Sequence, residues 1–306
     1  MAVDTGEFME RIPAARLAEA GRVLAGPGAD RASGERFLQA ARAHGVPLDE
    51  CWGASGEPGG AYRAVTLLVP SSGSTLMVYT SPVVSESGAA RLGRLLDRAC
   101  GAARGGAIAQ ALLEPEETAA RGAYEQAGFL FVGELLYLRR PWSEPGEAPA
   151  SWPEGVEVEA WREGMEADLA VALERSYEGT LDCPELCGLR RTEDVIASHR
   201  ATGSFDPHLW WLVRDKGAPA GVVLLNPNPA QDHTELVYLG LAPSLRGRGL
   251  ASGLLRMGLA ALRGRKHRTA LCAVDSRNAP AQALYRRAGF RPFARRVALV
   301  RPIRPA

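Results

Sequence analysis

An α/β chain built as two similar halves is what the sequence predicts, and three observations carry that reading. The 306 residues suffice for two domains of about 150 each. The run Ala123-Tyr124-Glu125-Gln126-Ala127-Gly128-Phe129 returns, partly changed, as Leu284-Tyr285-Arg286-Arg287-Ala288-Gly289-Phe290, 161 positions on. The same offset relates Pro82 to Pro243, Gly88 to Gly249, Ala90 to Ala251 and Arg140-Pro141 to Arg301-Pro302, so the last sixty or so residues of each half read as copies of one unit. Between these points apolar periods of 3.6 and 2 residues alternate, the mark of interleaved helices and strands.

In the first half, helical spacing predicts helices over 14–24 and 34–44, strands over 64–69 and 75–79, and helices over 89–98 and 118–126. Turn-rich pieces such as 53–60 give no period. Residues 143–153 are a Pro/Gly/Ala/Ser stretch and read as a linker, which gives domains 1–142 and 154–306. The second half alternates as a strand over 156–161, carries helical spacing over 164–177, and then runs as a polar loop to Arg191. Thr192 caps a helix bearing Val195, Ile196 and His199, followed by strands over 208–213, 220–225 and 235–241. Trp210 and Trp211, adjacent on a strand, should direct one ring into the core and the other outward. After Gly249 a helix is striped by Leu250, Leu254, Leu255, Leu259 and Leu262, then come a strand over 269–274, a helix over 279–288 and a strand near 297–300.

With 36 Lys+Arg against 35 Asp+Glu the net charge is +1, which argues against a basic nucleic-acid binder. At 46% hydrophobic and 23% charged the composition is globular. The first residues are acidic where a signal peptide is basic, and no stretch is apolar for the ~18 residues of a membrane span, so a cytoplasmic protein with no membrane partner is expected. Cys51, Cys100, Cys183, Cys187 and Cys272 are scattered and odd in number, which fits reduced thiols. Cys183 and Cys187 with His199 or His208 make only a weak zinc pattern, and no metal is expected. His233 and His267 flank strands and read as surface residues.

Chemistry concentrates in residues 235–252. An apolar strand leads to a turn opened by Pro243, then Arg246-Gly247-Arg248-Gly249-Leu250-Ala251-Ser252 enters the leucine-striped helix. Unpaired N–H groups at a helix start, approached by a glycine-rich loop, form an anion site, and the two arginines add charge. A Walker A loop needs Gly-Lys-Ser/Thr, which is absent, and a dinucleotide fingerprint begun at Gly247 misses its third glycine by one position.

Arg246-x-x-Gly249-x-Ala251 resembles the acetyl-CoA loop of the GCN5-related N-acetyltransferase (GNAT) superfamily. Asn278-Ala-Pro-Ala-x-x-Leu-Tyr285-x-x-Ala-Gly289-Phe290 resembles the family's next helix. Asn278, Ala281 and Tyr285 then share a helical face. The resemblance covers about 155–302. It implies two tandem GNAT-like domains, each a mixed, mostly antiparallel sheet flanked by helices, and acetyl transfer from acetyl-CoA by direct attack of an amine. Carried over residue by residue, Tyr285 is the acid for the departing thiolate and Glu235 the base. Leu239, Gly240 and Leu241 offer main-chain groups to the pantetheine arm and to the oxyanion. Arg246, Gly247, Arg248, Gly249, Leu250, Ala251, Ser252 and Asn278 complete the cofactor set. Period-2 alternation puts Glu235 on one face with Val237, Leu239 and Leu241. The acceptor is sought in residues 177–191, where Glu178, Asp182 and Glu185 attract a cationic amine.

In the first half the offset turns Arg246, Gly247 and Arg248 into Ser85, Glu86 and Ser87, and Asn278 into Glu117, while Tyr124 matches Tyr285. A carboxylate where a pyrophosphate would lie predicts a non-catalytic first domain. The expected partner is a small-molecule amine, with the chain a monomer or homodimer. A protein N-terminal or lysine acetyltransferase and a non-catalytic acyl-CoA sensor are the alternatives.

Overall fold

Strand-forming and helix-forming periods do alternate through both halves of the computed structural model, which describes residues 7–141, 151–265 and 269–303. By contact the chain forms two units, one of Met1–Val132 with Val297–Ala306 and one of Gly133–Arg296.

Unit 1 contains β1 (Phe8–Arg11), α1 (Leu17–Ala25), α2 (Arg31–Ala43), β2 (Cys51–Ser55), β3 (Ala64–Ser71), β4 (Thr75–Thr80), α3 (Glu86–Ala102), β5 (Ile108–Leu113) and α4 (Thr118–Gln126). β1 to β4 pair antiparallel in order, and β4 pairs parallel with β5. Leu92, Leu95 and Leu96 of α3 and Tyr124 of α4 bury one face of this sheet, and Ala20 of α1 with Phe37 of α2 packs on the other. The strand β2 falls partly in the turn-rich 53–60: Gly53 is required there because a Cβ would lie 2.5 Å from the Tyr62 ring.

Unit 2 takes in β6 (Leu130–Pro141) from Gly133 onward, β7 (Val156–Ala160), α5 (Glu166–Tyr177), α6 (Thr192–Ala201), β8 (Trp210–Asp215), β9 (Ala218–Asn228), β10 (His233–Leu241), α7 (Leu250–Ala260), β11 (Thr269–Asp275) and α8 (Ala279–Arg287). Its strands run in the order β6-β11-β10-β9-β8-β7, antiparallel except for the parallel β10–β11 pair. The mixed, mostly antiparallel sheet is covered by α7 and α8 on one face and by α5 and α6 on the other. That double cover corrects the reading of the tryptophans: both are buried, Trp210 in the α5 side and Trp211 in the α7 side. It also buries His233, while His267 lies outside the described residues.

The last strand, β12 (Arg291–Pro302), ends in unit 1, where Val297–Pro302 pairs antiparallel with β5. Conversely, β6 follows the first Ala-Gly-Phe yet pairs with β11 over its last seven residues, Leu135 against Asp275 to Pro141 against Thr269. The units therefore divide the chain differently from 1–142 and 154–306: in each half the strand after Ala-Gly-Phe completes the other unit's ladder. Of the linker 143–153, residues 143–150 lie outside the described part. No described helix is long and apolar enough to cross a membrane.

Candidate active site

The parallel pairing of β10 with β11 stops early. It joins His233–Glu235 to Thr269–Leu271, after which β10 continues against β9 to Leu241 while β11 continues against β6 to Asp275. The two strands diverge, and a cavity of about 200 Å³ opens in the wedge, lined by Leu239, Gly240, Leu241, Asn278, Ala281 and Tyr285 among others. Main-chain groups of β10 freed from a β11 partner face this space. The α8 residues on its wall are those that helical spacing placed together, and the Asn278 side chain caps α8 by accepting from Ala281 N–H at 3.2 Å. Tyr285 is buried with its ring 5.7 Å from Phe290, and burial holds its phenol protonated well above the ordinary range.

A bulge between Leu236 and Tyr238 changes the parity of β10. Glu235 precedes it, paired with Asn226 on the α6 side, and Val237 lies within it on the α5 face, whereas Leu236, Leu239 and Leu241 pack on the α7 face. Simple alternation therefore fails, since an extra residue reverses the facing of everything beyond it. The bulge also turns Tyr238 across Gly240: a Cβ there would meet the Tyr238 ring at 2.5 Å, so only glycine fits. The Tyr238 hydroxyl lies 2.9 Å from Ser176 Oγ.

Beyond β10, Gly247 and Gly249 have φ of +72° and +75°, a region that side chains avoid. They turn the chain so that α7 starts at Leu250 with no side-chain cap, leaving the N–H groups of Leu250 and Ala251 available to an anion, while Ser252 N–H donates to the Gly249 carbonyl at 3.2 Å. Arg248 is exposed and bonds to nothing among the described residues. Arg246 is engaged differently from the charge role that its place in the loop implied. Its guanidinium donates to the carbonyls of Leu241 (2.9 Å), Gly179 (3.1 Å) and Ser176 (2.9 Å), which pins the loop to the end of α5. With those donors committed to carbonyls, it positions the anion loop from behind.

On the opposite side of the wedge lies a second cavity, of about 540 Å³, walled by Tyr177, Arg190, His199, Val237 and the Cys183–Cys187 turn. Of the three acidic residues expected to meet the acceptor, only Asp182 lines it, and Asp182 lines the first cavity as well. Glu178 is exposed outside both. Glu185 is taken by Arg277, at 2.6 and 2.9 Å. The same guanidinium grips Asp275, whose carboxylate also accepts from Cys183 N–H at 3.1 Å. Burial pushes the Asp275 carboxyl up, but Arg277 and the N–H donors outweigh it and hold it below the usual range. Asp275 and Arg277 thus fasten the 178–191 loop to the end of β11, a function that the sequence did not disclose because it depends on a contact 92 residues away.

Glu235, at the start of the divergence, lines neither cavity, and its side chain has no hydrogen bond or ion pair among the described residues. Burial raises its carboxyl above the usual range, offset in part by His233. Burial likewise raises Asp182, opposed by its hydrogen bonds and Arg277.

The corresponding region of unit 1 differs in backbone as well as in charge. The Ser85 hydroxyl accepts from Gly88 N–H at 3.1 Å, and α3 begins at Glu86. The positions of the glycine loop are thus the capped first turn of a helix. Further along, α3 and α4 touch at Gly93, where a Cβ would lie 3.1 Å from the Ala123 carbonyl. Leu254 holds the matching place in α7, and there a cavity of about 380 Å³, lined by Ser252, Arg256, Leu284 and Arg287, separates α7 from α8.

These features agree with what similarity to known proteins shows. Residues 174–290 match the model of the acetyltransferase (GNAT) family. A mycothiol acetyltransferase of Streptomyces avermitilis is 30% identical over 82% of this chain and 85% of its own length. One from Salinispora arenicola is 31% identical over 72% of this chain and 71% of its own. Among solved structures, a GCN5-related N-acetyltransferase from Sphaerobacter thermophilus shares the fold with a TM-score of 0.59 at 22% identity, over 98% of this chain and 96% of that one. A tandem GNAT protein from the clavulanic acid biosynthesis pathway does so with a TM-score of 0.52 at 15% identity, over 98% of this chain and 99% of that one. The chain belongs to the GNAT family of acetyltransferases and is an N-acetyltransferase of tandem architecture.

Proposed function

We propose that unit 2 transfers the acetyl group of acetyl-CoA to the amine of a small molecule, and that unit 1 is non-catalytic. The observation that carries this reading is the uncapped helix start behind two left-handed glycines, which in unit 2 stands beside the diverging strands and the buried Tyr285; unit 1 keeps diverging strands and a buried Tyr124 but starts α3 with the Ser85 cap. The main chain of Gly247, Arg248, Gly249, Leu250, Ala251 and Ser252 holds the pyrophosphate. Leu239, Gly240 and Leu241 bind the pantetheine arm, and Asn278 flanks it. Bound acetyl-CoA supplies an activated thioester. A β10 N–H donates to the oxygen that gains charge, and Tyr285 supplies the proton that the departing sulfur needs. A base to take the amine proton completes the set; family likeness gives that role to Glu235, but Glu235 lines neither cavity.

The second cavity supports a small acceptor, since the loop over it is fastened at Asp275 and Glu185 by Arg277. The name shared by the relatives makes the unacetylated mycothiol amine the first acceptor to try. The test follows CoA thiol release with acetyl-CoA and a panel of small amines and peptides, with the acetylated product identified by mass. Amine-dependent release with a small molecule is expected. Release with peptides alone would assign a protein acceptor, and tight acetyl-CoA binding without transfer to any amine would make the chain a sensor.

A further inference from the structure

We infer that Asp182, not Glu235, takes the proton from the acceptor amine; this rests on the proposed acetyl transfer. The two cavities of unit 2 share five wall residues: Asp182, Val237, Tyr238, Ala273 and Val274. Two of these titrate. The Tyr238 hydroxyl is engaged with Ser176, so among the described residues Asp182 offers the single carboxylate that meets both the donor wedge and the acceptor side. Glu174 lines only the acceptor cavity, and Glu235 neither.

The carboxylate is held in place from several elements. One oxygen, Oδ1, accepts from Asp275 N–H at the end of β11 at 2.8 Å, and Asn278 at the head of α8 bonds to the same side chain. The charged and titratable groups around it are Asp275 and Arg277 from the β11 end, Tyr238 from β10, Tyr285 from α8, Cys272 inside β11 and Cys183 beside it on the loop. Arg277 is spread over Glu185 and Asp275. Burial, the largest effect, keeps the Asp182 carboxyl above its ordinary range, which brings its basicity closer to neutrality.

The protons then balance. An ammonium in the acceptor cavity gives one proton to Asp182, and its freed lone pair forms the bond to the acetyl carbon. The carbon–sulfur bond breaks and the sulfur takes the phenolic proton of Tyr285. A second N–H proton from the new amide nitrogen restores Tyr285, and Asp182 releases its proton to solvent.

The experiment measures kcat/KM against pH for the full-length wild type, Asp182→Asn, Asp182→Glu and Glu235→Gln, with acetyl-CoA binding to each measured by calorimetry. The wild type should show an acidic limb lying above the ordinary carboxylate range. Asp182→Asn should bind acetyl-CoA, lose roughly 10²-fold or more at neutral pH, and recover in proportion to hydroxide up to the pKa of the amine. Asp182→Glu and Glu235→Gln should both retain a limb. Persistence of the wild-type limb in Asp182→Asn, or its loss only in Glu235→Gln, overturns the inference, as does an Asp182→Glu enzyme that binds acetyl-CoA and behaves like the asparagine variant. A wild type that transfers acetyl to no amine overturns the underlying reading instead.

Discussion

Tyr285 combines two properties: it lines the donor cavity, and it is only 7% exposed. A phenol kept protonated by burial is a proton donor at every physiological pH, so Tyr285→Phe should lower kcat by about 10² or more with acetyl-CoA affinity little changed. Steady-state kinetics with a calorimetric Kd checks this, and a fall in affinity equal to the fall in rate would make the ring a packing residue. Tyr285, Asn278, Gly247 and Gly249 were legible in the sequence because each follows from a local need, a helical face or a left-handed φ. The contacts of Arg246 and the facing of Glu235 were not. The carbonyls that Arg246 binds lie up to 70 residues away, and the bulge that separates Glu235 from Leu239 leaves no mark on an apolar run.

At the scale of elements, α6 carries a stability device independent of catalysis. His199 stacks on Tyr238 at 5.6 Å, its Nε2 is buried without a partner, and burial with the nearby Arg190 charge lowers its pKa from 6.5 to about 4. Between those values the unfolded chain binds more protons than the folded one, so this contribution to stability is complete above about pH 6.5 and is lost as pH falls toward 4, up to about 3 kcal/mol. Thermal unfolding from pH 7 to 4.5 should show the loss, and His199→Leu should flatten it; an unaltered slope in the variant would place the titration elsewhere. Helices with a clear apolar stripe were the easiest elements to read, as with α4 and α7. The strands β2 and β5 were missed because small residues such as Gly53, Ala54, Ala109 and Ala111 give them little β signal. The first turn of α3 lies ahead of the predicted 89–98, because the Ser85 hydroxyl starts the helix by accepting from Gly88 N–H, ahead of the apolar stripe.

Across the whole molecule, the internal repeat was visible and its consequence was hidden. Matching positions 161 residues apart identify two copies, but nothing local tells β6 or the end of β12 which ladder to join. Because β6 pairs with β11 and β12 with β5, cutting the chain at its Pro-rich middle would remove a strand from each unit, and the intact protein is the proper subject of any binding test. In the proposed division of labour the glycine loop of unit 2 accepts acetyl-CoA and the Ser85-capped helix of unit 1 excludes it. Calorimetric titration of acetyl-CoA into the full chain, beside an Arg246→Glu variant, tests this most directly. One site per chain in the wild type and its loss in the variant are predicted; two sites, or one that survives the substitution unchanged, would contradict the account.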